Sequence, residues 1–404
     1  MNPKGEEGRY FIVILMLGFW IQLSALGFGR FAYTVLLPGM KTDLALSNTH
    51  MGFFQVAILV GYLLFAFLSS ALVKRWGLIA TINLSVLVGG LAMTLLGFAA
   101  AFWHLLALAF WVGAGAAGSY IPMIPLLIGW SSTRRSGSAI GIVFSGCGVG
   151  ILLSGFAASF LLIRYGLVGW RYTWIALGAV TILVALACLF FLKEKESSRG
   201  ESAEHKNEHA ALSLLWRDPS LRAIMAVYIL VGFGYIMYGT FIVAYAVEEV
   251  GFSTAESGVI WSIFGLFSIA GCIFWGSASD RVGRKAVTMA ALLLLSGSIL
   301  LAILWRQKAG LYLSGGFFAF TFNGVITLIA AMFGDHIPVA RMDRFFGVAT
   351  LVHGLAQAVG VALAGWLKDL TSTFVVPFLL ATVIIAICPV ILIFLQERRK
   401  GEAL

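Results

Sequence analysis

The chain has 404 residues, of which 60% are hydrophobic and 11% charged, and its mean hydropathy is +0.97. A soluble domain is about half apolar and about a quarter charged, so this balance excludes a water-soluble enzyme and a disordered chain. The formal charge of +9 invites a nucleic-acid partner, but the basic residues sit between long apolar runs rather than in one patch, and no nucleic-acid partner is expected.

A transmembrane helix needs roughly 20 apolar residues. Runs of that length predict twelve helices, at 10–38, 48–73, 77–99, 102–128, 137–163, 170–192, 221–247, 254–277, 285–305, 310–333, 344–367 and 372–396. The start, Met1 to Arg9, is short and mixed in charge, and the apolar run after it is too long for the core of a signal peptide. Strands of alternating polarity are absent, which argues against an outer-membrane barrel. Between helices 6 and 7 the run Lys193-Glu194-Lys195-Glu196-Ser197-Ser198-Arg199 opens a solvated linker. The expected domains are thus a six-helix bundle at 1–192, a cytoplasmic linker at 193–220 and a second bundle at 221–404. The fold class is an all-α integral membrane protein, twelve helices in two pseudo-symmetric six-helix bundles.

The basic residues set the topology. Twenty of the 27 lie in loops that the helix order places inside, including Lys74, Arg75, Arg134, Arg135, Arg281, Arg284 and Lys285, and six lie in loops placed outside. This excess predicts a multi-pass protein of the inner membrane with both termini cytoplasmic. The lipid bilayer is then a partner, and the net charge is a topology signal. Cys147, Cys188, Cys272 and Cys388 all fall in apolar segments at wide spacing, so neither a disulfide framework nor a metal site is expected. No cofactor motif is present.

The two halves repeat. Ser47, Gly52, Arg75 and Gly77 recur as Ser253, Gly258, Arg281 and Gly283, all at an offset of 206. Gly141 and Gly148 recur as Gly347 and Gly354 at the same offset. Gly27-Phe28-Gly29-Arg30 in helix 1 aligns with Gly232-Phe233-Gly234-Tyr235 in helix 7, at an offset of 205. A constant offset across several helix pairs points to a duplication, the usual construction of secondary transporters.

After helix 8 the chain reads Gly276-Ser277-Ala278-Ser279-Asp280-Arg281-Val282-Gly283-Arg284-Lys285. Gly283 lets the chain reverse between two close helices, and Asp280 is placed to cap the next turn or to pair with an Arg. This segment resembles the signature of the major facilitator superfamily, Gly-x-x-x-Asp-Arg-x-Gly-Arg-Lys, and every defining position matches. In the first-half copy Lys74 replaces the acid and Leu78 the second Arg. The resemblance implies the superfamily fold, a mostly monomeric state, and a gating role for the loop through Asp280, Arg281, Gly283 and Arg284. It names no substrate. The helix 5 pattern Gly-x-x-x-Gly-Pro of drug/proton antiporters lacks its proline here, so glycines such as Gly146 and Gly150 are read as packing positions.

An ionisable group inside a span marks function. No acid falls mid-span, whereas Arg30 lies within helix 1 and His353 within helix 11. The resemblance implies that helices 1, 4, 7 and 10 line a central cavity. A guanidinium suits a carboxylate or phosphate and stays charged at any working pH. Alternatively Arg30 snorkels or bonds carbonyls. Arg30 aligns with Tyr235 rather than with a second Arg, which favours a monoanion over a phosphate. Tyr33, Tyr120, Tyr235, Tyr238 and Asn323 are the accompanying candidate ligands, each with a structural reading as an interface tyrosine or an interhelical bond. His353 is the candidate for proton coupling, and a second cationic contact or a packed histidine are the other readings.

The resulting expectation is no enzyme but a secondary transporter. Its partner is a small, monocarboxylate-like organic anion, moved by alternating access with a possible proton. The alternative is an exporter of hydrophobic or drug-like compounds, which the aromatic content of 14% favours. Motifs of membrane enzymes and a nucleotide-binding loop are absent.

Overall fold

A computed structural model of the protein describes residues 3–130, 136–193, 218–337 and 339–394. The expected linker at 193–220 falls almost wholly outside the described residues, as do Arg134 and Arg135. The described residues form helices and turns and no strand. The first span is a compound element. It runs as α1 (Pro3–Ile21), a π-helical run (Gln22–Phe31) and α2 (Tyr33–Asp43). The others are α3 (Asn48–Trp76), α4 (Leu78–Leu96), α5 (Phe102–Trp130), α6 (Ser136–Tyr165) and α7 (Gly169–Phe191), then α8 (Pro219–Glu249), α9 (Thr254–Val282), α10 (Arg284–Leu304), α11 (Lys308–His336), α12 (Val339–Thr371) and α13 (Val375–Ile393). The longest apolar stretch, Gly141–Phe191, spans 51 residues and is divided between α6 and α7 by the short 3-10 turn Gly166–Val168. Among the described residues the spans are therefore twelve, and the protein is a multi-pass membrane protein.

Two of the expected loops shrink to single residues. The segment 278–282, read from sequence as loop, continues α9, and only Gly283 separates it from α10. Gly283 has φ +105° and Gly77, its counterpart between α3 and α4, has φ +83°. A side chain is disfavoured there, so glycine ends one helix and starts the next without a loop.

The chain forms two compact units: residues 1–202 with 252–265, and residues 203–251 with 266–404. In the first unit the π-helical run lies against α6 at backbone contact. A Cβ on Gly27 would come within 2.7 Å of the Gly150 Cα, and one on Gly150 within 2.3 Å of the Leu23 carbonyl oxygen. In lipid, helices associate by such close packing rather than by hydrophobic exclusion. A cluster of Ile14, Leu17, Ile21, Ile82, Val86, Met123 and Val143 fills the space between α1, α4, α5 and α6. In the second unit α8 is buried along most of its length, and its Tyr238 and Tyr245 pack on Phe318, Phe374 and Phe378.

Each unit closes one end with a charged clamp. Asp43, at the end of α2, accepts from Trp170 Nε1 at 3.1 Å and pairs with Arg171 at 2.9 Å. Arg171 also donates to the Ala99 carbonyl at 2.7 Å. Glu249, at the end of α8, pairs with Lys368 Nζ at 2.7 Å and accepts from Thr373 Oγ1 at 2.9 Å and the Phe374 amide at 2.6 Å. Asp43 and Glu249 stand 206 residues apart, the offset of the repeat.

Lys368 is only 7% exposed, and its removal leaves the half-buried Glu249 carboxylate without its nearest counter-ion. Lys368→Met is expected to destabilise the protein by about 3 kcal/mol, measured as a lowered unfolding temperature of the detergent-purified chain.

Candidate functional site

Arg30 stands in the π-helical run, one residue before its end. Such wide turns are rare and occur often at functional positions. Here small residues permit the run, because Gly27 and Gly29 let the backbone meet Gly150 on one side and the Val112 side chain on another. The half-buried Arg30 turns its guanidinium over the Tyr62 ring of α3, 4.7 Å from the ring centre, with Phe31 at 5.6 Å. A half-buried contact of this kind contributes about 1 kcal/mol. The Tyr62 hydroxyl also lies within electrostatic reach of Cys147 on α6. Tyr62 was not foreseen, although it is the single tyrosine in the otherwise apolar middle of α3. That isolation was the available signal.

The other expected ligands of the first unit divide. Tyr33 is fully buried, stacked on Phe54 at 4.5 Å, and its hydroxyl donates to the Met51 carbonyl at 2.5 Å. Tyr120 on α5 is half-buried and meets Phe144 edge to face at 5.0 Å. The structure brings Arg30 and Tyr62 together, and it places Tyr33 inside the packing between α2 and α3.

In the second unit the site candidates gather around α8. His353 is 4% exposed, and its ring stacks on Tyr228 at 3.9 Å, with an angle of 9° between the planes. His353 Nδ1 lies 2.7 Å from the Tyr228 carbonyl oxygen. A carbonyl only accepts, so Nδ1 carries the hydrogen, and in the neutral ring Nε2 carries the lone pair. A Cβ on Gly232 would stand 2.5 Å from Nδ1, so glycine at this position makes room for the imidazole. Tyr235 lies 6.1 Å from the same ring and 5.8 Å from Phe322. Gln357, one turn beyond His353, is buried as well. Tyr238 is fully buried and hydrogen-bonded to Ser314. Asn323 on α11 is half-buried.

The signature segment splits into two parts. Asp280 and Arg281 are exposed at the end of α9, and among the described residues neither forms an ion pair. Beyond Gly283, Arg284 pairs with Asp335 of α11 at 2.8 Å and donates to the Ala331 carbonyl. Lys285 donates to the Ile393 carbonyl of α13 at 2.8 Å. The second half of the segment thus ties α10 to α11 and α13. Among the described residues no cluster suited to a metal ion occurs.

Comparison with known proteins agrees with this architecture. The family described as "Uncharacterised MFS-type transporter YbfB" matches residues 22–393. A protein of Agrobacterium vitis named for tartrate transport is 25% identical over 393 residues, covering 89% of this chain and 87% of that one. The hexuronate transporter of Bacillus subtilis is 24% identical over 374 residues, covering 87% of each. The solved structure of the nucleoside transporter NupG superposes with a TM-score of 0.79 at 10% identity, covering 96% of this chain and all of that one, which speaks for the fold alone. With nearly the whole chain matched, the protein belongs to the YbfB-type family of major facilitator superfamily transporters.

Proposed function

We propose that the protein is a secondary transporter of a small organic anion with one carboxylate, moved by alternating access together with a proton. The observation that carries this reading is Arg30, a strong base held within a span with its guanidinium against Tyr62. The ring holds the cation in place without neutralising its charge. A guanidinium offers two parallel N–H donors to a carboxylate. Its repeat-related position is Tyr235, not a second arginine, so one fixed charge meets one negative charge. The names of the Agrobacterium and Bacillus relatives support the coarser class of hydroxylated organic anions, hexuronate with one carboxylate and tartrate with two.

In this reading Tyr120, Tyr235 and Asn323 address the hydroxyl groups of the solute, and Tyr33 and Tyr238 hold the helices that carry them. His353 is the proton-coupling residue. The halves 1–192 and 221–404, joined by the linker 193–220, exchange access, and the exposed Asp280 and Arg281 latch one state beside Gly283 and Arg284. The protein works as a monomer in the inner membrane with both termini cytoplasmic.

The primary test is thermal stabilisation of the purified protein by tartrate, hexuronates, simple monocarboxylates and hydrophobic cations. A bound ligand raises the unfolding temperature. A carboxylate is expected to stabilise the wild type and not Arg30→Ala, with uptake in vesicles reduced at least about 30-fold in the variant. Stabilisation by hydrophobic cations or neutral compounds alone would overturn the anion reading in favour of an exporter.

Two further variants separate the roles. Tyr62→Phe keeps the ring and is expected to transport within about threefold of wild type, whereas Tyr62→Leu loses about tenfold; equal rates in both would show that the ring does not seat Arg30. His353→Gln is expected to bind the anion but no longer to accumulate it in response to an imposed pH gradient. Accumulation at the wild-type level would remove His353 from the coupling.

A further inference from the structure

The N-termini of α3 and α9 are repeat-related and are capped by the same device with one changed part. At α9, Ser253 and Glu256 form the reciprocal box. The Ser253 amide and hydroxyl both donate to Glu256 Oε2 at 2.9 Å, and the Glu256 amide donates to Ser253 Oγ at 3.4 Å. At α3 the serine is Ser47, 206 residues earlier, but the residue three further on is His50. The His50 amide donates to Ser47 Oγ at 3.2 Å, and the Ser47 amide donates to His50 Nδ1 at 3.2 Å. Ser47 Oγ also lies 3.1 Å from Nδ1. An imidazole has taken the place that a carboxylate or carboxamide ordinarily fills.

The substitution adds a condition that Glu256 does not carry. Nδ1 accepts the Ser47 amide only through its lone pair, so His50 completes the box only when neutral. Protonation removes that acceptor and sets a positive charge at the end of a helix that favours anions. His50 is in contact with Ser47 on its own cap and with the Phe102 ring of α5, 4.5 Å away edge to face, and the titratable residue of α5 nearest that ring in sequence is His104. The turn it closes holds Met51, whose carbonyl receives the Tyr33 hydroxyl.

We infer that the Ser47–His50 box is a pH-sensitive cap, intact when His50 is neutral and broken when it is protonated, which loosens the first turn of α3 and its tie to Tyr33. The stabilisation is present while the imidazole is neutral and is lost as falling pH protonates it. The inference holds whichever solute is carried.

The test uses the full chain in detergent, with amide exchange corrected for intrinsic rates across residues 48–51 at pH 8 and pH 5. In the wild type, protection of these amides is expected to fall about fivefold between the two. His50→Glu and His50→Gln restore the ordinary box, and both should hold their protection over the same interval. The α9 box serves as an internal reference that stays protected in all three proteins. A fivefold loss in the wild type that persists in His50→Gln would place the sensitivity elsewhere. Equal protection at both pH values in the wild type would overturn the switch.

Discussion

Inside a bilayer no water satisfies an exposed peptide group, so the chain is confined to helices whose bonds close on themselves. Lipid tails are as apolar as leucine, and helices gain little there from hiding apolar surface from one another. Association depends on how nearly two backbones approach. In the first unit that approach is decided at Gly27 and Gly150, where a methyl group on either would overlap the facing main chain. The position of Arg30 follows from this contact, because the run that carries it can lie on α6 only while both positions lack a side chain.

The charged groups fall into two environments with different physical tasks. At the helix ends Asp43 and Glu249 accept from donors that hold α2 to α7 in one unit and α8 to α12 and the start of α13 in the other. Those acids are anchors, and their charge is answered locally. Arg30 sits in the interior of a span against an aromatic face. A ring steadies a cation without removing its charge, and the proposed function uses that charge.

Much of the architecture was legible in the sequence. Twelve apolar runs, a constant offset of 206 and the Asp280–Lys285 signature were enough for helix number, internal symmetry and superfamily. The π-helical run was not legible, because Gln22–Phe31 keeps the pattern of an ordinary amphipathic helix and the cause of the wide turns lies on another helix, at Gly150. Val282 was read as loop because basic residues cluster beside it, although a single glycine suffices for the reversal. At the site, Arg30 stood out by charge alone. Tyr62 did not, since a tyrosine within an apolar run announces nothing until its neighbour is known. Tyr33 and Tyr238 were matched across the repeat, and the match reflects shared packing duty: both are fully buried, with their hydroxyls bound to Met51 and Ser314.

The clamps at Asp43 and Glu249 bear on how freely the halves can be recombined. The acid occupies equivalent positions, but its cation comes from the start of α7 in one unit and from the last turn of α12 in the other. The halves therefore share a plan without sharing parts. A chimera that exchanged α12 for its repeat counterpart α6 would strand Glu249, because residue 162, the equivalent of Lys368, is a leucine. Duplication supplied the scaffold, and the electrostatic closure of each unit has since become particular to it.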